Sequence, residues 1–116
     1  MAKAWQTVIE LAVYQRKAER LLDGDERRNV VTELAQSPER GDLIAGGGGI
    51  RKVRFAAKGK GKSGGVRVIY YYHNPAVPLF LLSIYGKGEK ANLTRAETNS
   101  LAKAVRLLTE EYGGKQ

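Results

Sequence analysis

Residues 50–72 read IRKVRFAAKGKGKSGGVRVIYYY, two segments of alternating apolar and basic residues joined by a loop of glycine and lysine. Val53 and Phe55 alternate with basic side chains in the first segment, and Val66 and Val68 flank Arg67 in the second. A period of two is typical of a β-strand with one buried face. The stretch therefore predicts a β-hairpin that presents cations to a polyanion.

The positive charge of the chain is concentrated in this hairpin. The 116 residues carry 20 Lys and Arg against 12 Asp and Glu, a net charge of +8. Residues 51–67 contain seven Lys or Arg and no acid, whereas residues 1–49 contain seven basic and eight acidic side chains. Such a local excess favours nucleic acid or an anionic membrane as the partner.

Composition excludes several other kinds of protein. The chain has no Cys and one His, so disulfides and thiolate chemistry are impossible and a metal site is not expected. No apolar run approaches the ~18 residues of a membrane span, and the N-terminus lacks a signal-peptide core. We expect a single cytoplasmic domain, residues 1–116, that needs no cofactor.

Hydrophobic spacing predicts the elements around the hairpin. Residues 5–9 read as a strand, residues 11–22 and 26–35 as two amphipathic helices with Asp25 capping the second, and residues 79–85 as a buried strand. Thr94 and Glu97 form a capping box that begins a last helix, which Gly113 and Gly114 end. The predicted fold is α+β, in the order β-α-α-β-β-β-α, with a small and mostly antiparallel sheet packed on helices.

Four consecutive glycines, residues 46–49, precede the hairpin and have two possible interpretations. Glycine-rich loops can cradle phosphates, but that motif opens a helix, and here a strand follows. We therefore expect a tight turn.

Side-chain alternation predicts which residues meet. Lys52, Arg54 and Arg67 should share an open face of the sheet with Tyr85, provided that Leu79, Leu81, Ser83 and Tyr85 all point the same way. Basic side chains should surround this face, namely Lys58, Lys60, Lys62, Lys87 and Lys90. Such a surface suits phosphate contacts and base stacking.

Several nearby residues have ordinary structural explanations. Tyrosines 70–72 are good strand formers, of which one or two belong in a core, while Tyr85 lies at a strand end where a site could open. His73 is expected to be exposed and without a function. Glu89 is expected to pair with Lys87 or Lys90.

The run GDLIAGGGGIRKVRFAAKGKGKSGGVRVIYYYHN, followed by LFLLSIYGKGEKANLT, resembles the HigB-type branch of the RelE/ParE toxin superfamily. The resemblance covers residues 5–108 and implies a RelE-like fold. It also implies a toxin of a type II toxin–antitoxin system, a ribosome-dependent mRNA endoribonuclease that inhibits translation. The implied partners are mRNA in the decoding site of the 70S ribosome and a separately encoded, HigA-like helix-turn-helix antitoxin.

The resemblance also implies roles for particular residues. It gives the catalytic cations to Lys52, Arg54 and Arg67, and we add Tyr85 from the strand pattern as a candidate base. The predicted RNA- and ribosome-binding set is Arg51, Lys58, Lys60, Lys62, Tyr71, Lys87 and Lys90. RelE-type members carry an arginine and a tyrosine where this chain has Gly88 and, approximately, Thr94, so the resemblance does not assign the general base.

A mechanism without a metal ion is consistent with these residues. The 2′-OH of the RNA attacks the adjacent phosphorus, cations stabilise the phosphorane, and a Lys or Tyr whose pKa neighbouring cations lower serves as the base. Two other interpretations stay open, a non-catalytic RNA-binding module and a ParE-like gyrase inhibitor.

Overall fold

The computed structural model describes residues 5–57, 65–90 and 92–112. These residues form a five-stranded sheet and three helices, which confirms the α+β prediction. In chain order the elements are β1 (Val8–Glu10), α1 (Ala12–Leu21), α2 (Gly24–Gln36), β2 (Asp42–Leu43), β3 (Ile50–Phe55), β4 (Val66–Tyr71), β5 (Leu79–Gly86) and α3 (Arg95–Glu111). The sequence did not predict β2, because two residues are too few to show a period.

The sheet has the strand order β1-β5-β4-β3-β2. β1 runs parallel to β5, and the other neighbours are antiparallel. The central hairpin pairs Ile50 with Tyr71 at one end and Phe55 with Val66 at the other. This register confirms the predicted hairpin, whose loop residues 58–64 lie outside the described part of the chain.

Both faces of the sheet carry an apolar core, whereas the sequence predicted helices on one face and an open second face. On one face, α1 and α2 bury Tyr14 and Leu34 against Val68 of β4. On the other, α3 brings Val105 against Ile69 of β4. The last helix therefore covers part of the face that was expected to be open.

A β-bulge in β5 changes the direction of its side chains. Ile69 pairs with Ser83, but the next residue of β4, Tyr70, pairs with Leu81, so Leu82 is an extra residue. As a result Leu81 packs towards α1 and α2, whereas Tyr85 packs towards α3. The expectation that Leu79, Leu81, Ser83 and Tyr85 share one face is wrong for this reason.

Capping side chains fix the start of two helices. Asp23, and not Asp25 as predicted, caps α2, since its Oδ1 accepts the N–H of Glu26 at 2.8 Å. The capping box of α3 is confirmed, because Thr94 Oγ1 accepts the N–H of Glu97 at 3.1 Å and Glu97 Oε1 accepts that of Thr94 at 2.8 Å.

The glycine run forms the turn that joins β2 to β3. Gly49 has a φ of 108°, and a Cβ on it would lie 2.9 Å from the ring of Tyr71. Both constraints explain a glycine there and support the turn over the phosphate cradle.

No helix in residues 5–57, 65–90 and 92–112 has the length and hydropathy to cross a membrane.

Candidate active site

The four residues predicted to be catalytic lie on one face of the sheet, the face that α3 partly covers. Arg54 is the register partner of Arg67, and Arg67 is the register partner of Tyr85 on the next strand. Lys52 pairs with Ile69, whose side chain belongs to the same face. Register partners in antiparallel strands have Cα atoms about 4.5–5.5 Å apart and side chains on the same side. The three strands therefore bring two guanidinium groups and a phenol into one row.

The cations of this row, and Lys52 on the same face, form no ion pair with a described carboxylate. Arg54 is exposed, and Lys52 is half-buried and donates its Nζ to Asn92 Oδ1 at 2.9 Å. Arg67 is half-buried, and its Nη1 is buried with no hydrogen-bond partner among the residues that the structure describes. Buried polar atoms are nearly always paired in native proteins, so Nη1 of Arg67 is an available donor for an anionic ligand.

Tyr85 lies beside Arg67 and is only 3% exposed. Its hydroxyl is buried and has no hydrogen-bond partner within the described ranges, while Lys90 Nζ lies 5.5 Å from the centroid of its ring. Burial raises the pKa of Tyr85, and the charges of Arg67 and Lys90, which lower it, do not outweigh that effect. The expectation that cations lower the pKa of a tyrosine is therefore wrong here, and the phenol is protonated at neutral pH.

Two glutamates complete the surroundings of Tyr85. Glu97 forms an ion pair with Lys90, and this contact, with the N–H of Thr94, lowers the pKa of Glu97 to about 2. Glu89 instead accepts the N–H of Gly86 with its Oε1 at 3.2 Å. Within the described residues, Glu97, and not Glu89 as predicted, is thus the ion-pair partner of Lys90.

Two residues of the predicted RNA-binding set lie elsewhere. Arg51 points to the opposite face, where its Nη1 donates to the carbonyl oxygens of Gly41 at 2.8 Å and Glu39 at 3.2 Å. Tyr71 is 6% exposed, packs in the core beneath α3 and stacks on His73 at a centroid distance of 6.4 Å. Arg51 therefore fixes the segment after α2, and the buried ring of Tyr71 is not available for stacking on a base.

The remaining basic residues surround the row or lie outside the described ranges. Lys87 is exposed, and its N–H donates to Gly65 O at 3.2 Å, next to the base of the hairpin. His73 is exposed, as expected. The predicted positions Lys58, Lys60 and Lys62 all fall in residues 58–64, which the structure does not describe.

A groove that the sequence did not predict adjoins Tyr85. It has a volume of about 570 Å³ and lies between α1 and α3, beside the part of β5 that β1 does not cover. Both Leu82 and Ser83 line it, because the bulge turns these two consecutive residues towards the same space. A bulge leaves no periodic signal, so no pattern in the sequence could have revealed the groove.

Comparisons with known proteins agree with this architecture. A family model described as the RelE toxin of the RelE/RelB toxin–antitoxin system matches residues 8–112. A solved structure of the E. coli toxin RelE, a mutant in the free state, is similar in fold with a TM-score of 0.56 and 18% sequence identity. That match covers 89% of this chain and 98% of the other. Because the family model spans most of the sequence, the chain belongs to the RelE toxin family.

Proposed function

We propose that this protein is the toxin of a toxin–antitoxin pair, of the HigB-type branch, and that it cleaves mRNA on the ribosome. The observation that carries the proposal is the row Arg54, Arg67 and Tyr85, in which two buried polar atoms lack partners among the described residues. A row of cations beside a phenol suits a phosphodiester better than a neutral substrate.

In the proposed reaction, the 2′-oxygen of one nucleotide attacks the adjacent phosphorus. Its proton leaves to a base, the bond from phosphorus to the 5′-oxygen breaks, and that oxygen takes up a proton. The products are a 2′,3′-cyclic phosphate and a 5′-hydroxyl. Arg67, with Arg54 and Lys52 on the same face, stabilises the negative charge that the phosphorane gains.

Tyr85 takes the part of proton donor in this proposal. Its raised pKa keeps the phenol protonated, which suits an acid and not a base. The hydroxyl is buried, and Lys90 Nζ, paired with Glu97, lies 5.5 Å from the centroid of the ring, so the proposal requires the surroundings of Tyr85 to open when RNA binds. The site also needs no metal ion for charge stabilisation, because guanidinium and ammonium groups supply the positive charge.

The ribosome and an antitoxin are the proposed partners. The cations of the row and Lys87 offer contacts to the phosphates of mRNA, and the ribosome holds the strand in the geometry for attack. The chain acts in the cytoplasm, where its antitoxin, encoded separately, neutralises it.

Purified protein with 70S ribosomes programmed with a defined mRNA tests the proposal. We expect cuts within the codon in the decoding site, mapped by primer extension, and fragments that end in a cyclic phosphate. A matched mRNA with a single 2′-deoxynucleotide before the cut should stay intact at that position, because the nucleophile is missing. Cleavage of the deoxy-substituted mRNA at the same position would exclude attack by the 2′-oxygen, and an intact ordinary mRNA would exclude the function.

A further inference from the structure

The groove beside Tyr85 has one apolar part and one polar end. Its apolar walls are formed by α1, β5 and α3, and they comprise Leu11, Leu82, Leu93, Ala96, Leu101 and Ala104. Its polar end contains Ser83, Glu89, Lys90 and Glu97 together with Tyr85. A volume of about 570 Å³ is within the range of small-molecule sites and exceeds the size of one nucleoside.

The groove is continuous with the row of catalytic candidates through Tyr85. This residue lines the groove and is also the register partner of Arg67. The hydroxyl of Tyr85 and Nη1 of Arg67 are both buried without partners among the described residues. Two unused donors at the boundary between the row and the groove point to a ligand that crosses from one to the other.

We propose that this groove binds the nucleobase next to the scissile phosphate, an inference that rests on the proposed function. With the phosphate at Arg67, the adjoining base enters the groove between α1 and α3. The aliphatic walls bury its faces, and the carboxylate oxygens at the polar end accept hydrogen bonds from its N–H groups.

One cation of the groove wall, Lys17, favours a nucleotide over an apolar peptide. Lys17 of α1 donates its Nζ to Ser83 Oγ at 3.3 Å, and Lys90 also lines the groove. Lys17 and Arg67, the register partner of the groove residue Tyr85, are the cations that a phosphodiester strand could contact here. Lys90 adds no net charge there, because its ammonium group is paired with the carboxylate of Glu97.

A bulky side chain that fills the groove tests the inference while Arg54, Arg67 and Tyr85 stay unchanged. Ser100 and Asn99 are consecutive exposed residues of α3, but only Ser100 lines the groove. We therefore compare Ser100→Trp with the matched control Asn99→Trp, checking the fold of both by thermal melting. The readouts are the rate of mRNA cleavage on programmed ribosomes and the distribution of cuts among codons.

The expected result is that Ser100→Trp lowers kcat/KM by about tenfold, the equivalent of one lost base contact. It should also change the preferred cut positions, whereas Asn99→Trp should leave both measurements unchanged. Amide shifts of the groove residues in NMR spectra, on adding each nucleoside 3′-monophosphate to the wild-type protein, should disappear in Ser100→Trp.

The outcomes separate the inference from the proposed function. If wild type cleaves mRNA and a folded Ser100→Trp protein cleaves it at the same rate and positions, the inference is overturned but the proposed function is not. The same result is expected if the groove binds a peptide of the antitoxin. A wild-type protein that does not cleave would overturn the proposed function and the inference with it.

Discussion

Two polar atoms that have no hydrogen-bond partner in residues 5–57, 65–90 and 92–112, Nη1 of Arg67 and the hydroxyl of Tyr85, belong to register partners on adjacent strands. Leaving a buried polar group unpaired costs about 1–3 kcal/mol, so each lowers the stability of the free protein. An unpaired hydroxyl alone does not mark a site, because Tyr14 has one in the core beneath α1 and α2. Adjacency to a second unpaired donor and to Arg54 distinguishes Tyr85 from Tyr14.

This difference makes Tyr85→Phe informative. Removing the hydroxyl should leave the protein as stable or slightly more stable, because no described hydrogen bond is lost. Loss of the proposed proton donor should lower the cleavage rate by roughly 10²-fold. Thermal melting and single-turnover cleavage measure the two effects.

Tyr14→Phe is the control for this change. It removes a hydroxyl that is also buried without a described hydrogen-bond partner, but from the opposite face of the sheet. It should match Tyr85→Phe in stability and cleave at the wild-type rate. Equal cleavage rates for the two variants would remove Tyr85 from the mechanism.

The sequence predicted some positions in the site and not others. Alternation was enough to bring Lys52, Arg54 and Arg67 together, because β3 and β4 pair without a bulge. It misassigned Tyr71, because both faces of the sheet are covered and alternation cannot tell a core from a site. The pKa of Tyr85 was mispredicted because the sequence shows the neighbouring cations but not the burial that outweighs them.

At the scale of elements, α3 is held over the site by its first turn. Glu97 closes the capping box with Thr94 and pairs with Lys90, whose Nζ lies over Tyr85. The first turn of α3 thus contacts Tyr85, the proposed proton donor, through Lys90.

This connection predicts a pH dependence of stability. The pKa of Glu97 is lowered from 4.5 to about 2 in the folded protein. The unfolded chain therefore takes up the proton first, and the contribution of Glu97 is present above about pH 4.5 and is lost as the pH falls towards 2. The Tm of wild type should fall more between about pH 5 and about pH 2.5 than the Tm of Glu97→Gln, by a small margin because water reaches part of both side chains.

Glu110→Gln, which removes an exposed acid from the same helix, is the control. It should follow the wild-type pH profile. A Glu97→Gln profile that is parallel to wild type would show that the pair does not stabilise the start of α3.

The order of the elements other than β2 was predictable, because the hydrophobic period changes between two and 3.6 wherever a strand meets a helix, and turn residues separate β3, β4 and β5. The bulge at Leu82 was not predictable. It places Tyr85 on the face of the sheet opposite to Leu81. The short strand β2 was missed for a related reason, since pairing with Lys52 and Arg51, and not its own sequence, defines it.

At the scale of the whole molecule, the sequence predicted the fold class and the family, while the extent of the domain stays a prediction. The strongest sequence signal was the unneutralised charge of residues 51–67 within a chain of net charge +8. Long-range contacts, such as the return of α3 across the sheet, depend on packing that no local pattern specifies.

Induced expression without an antitoxin should stop growth because translation is lost. Incorporation of labelled amino acids should fall before incorporation of labelled thymidine, because the proposed substrate is mRNA. The reverse order would favour a toxin that acts on gyrase, and unchanged growth would contradict toxicity.

The most direct test of the central claim, that the row around Arg67 cleaves RNA, is the rate of mRNA cleavage by Arg67→Ala on programmed ribosomes. Arg20→Ala, which removes an exposed arginine from α1, controls for the loss of one positive charge. We expect Arg67→Ala to melt at or above the wild-type Tm and to cleave roughly 10²–10³-fold more slowly, with Arg20→Ala near wild type. An Arg67→Ala protein that melts normally and cleaves at the wild-type rate would contradict the account.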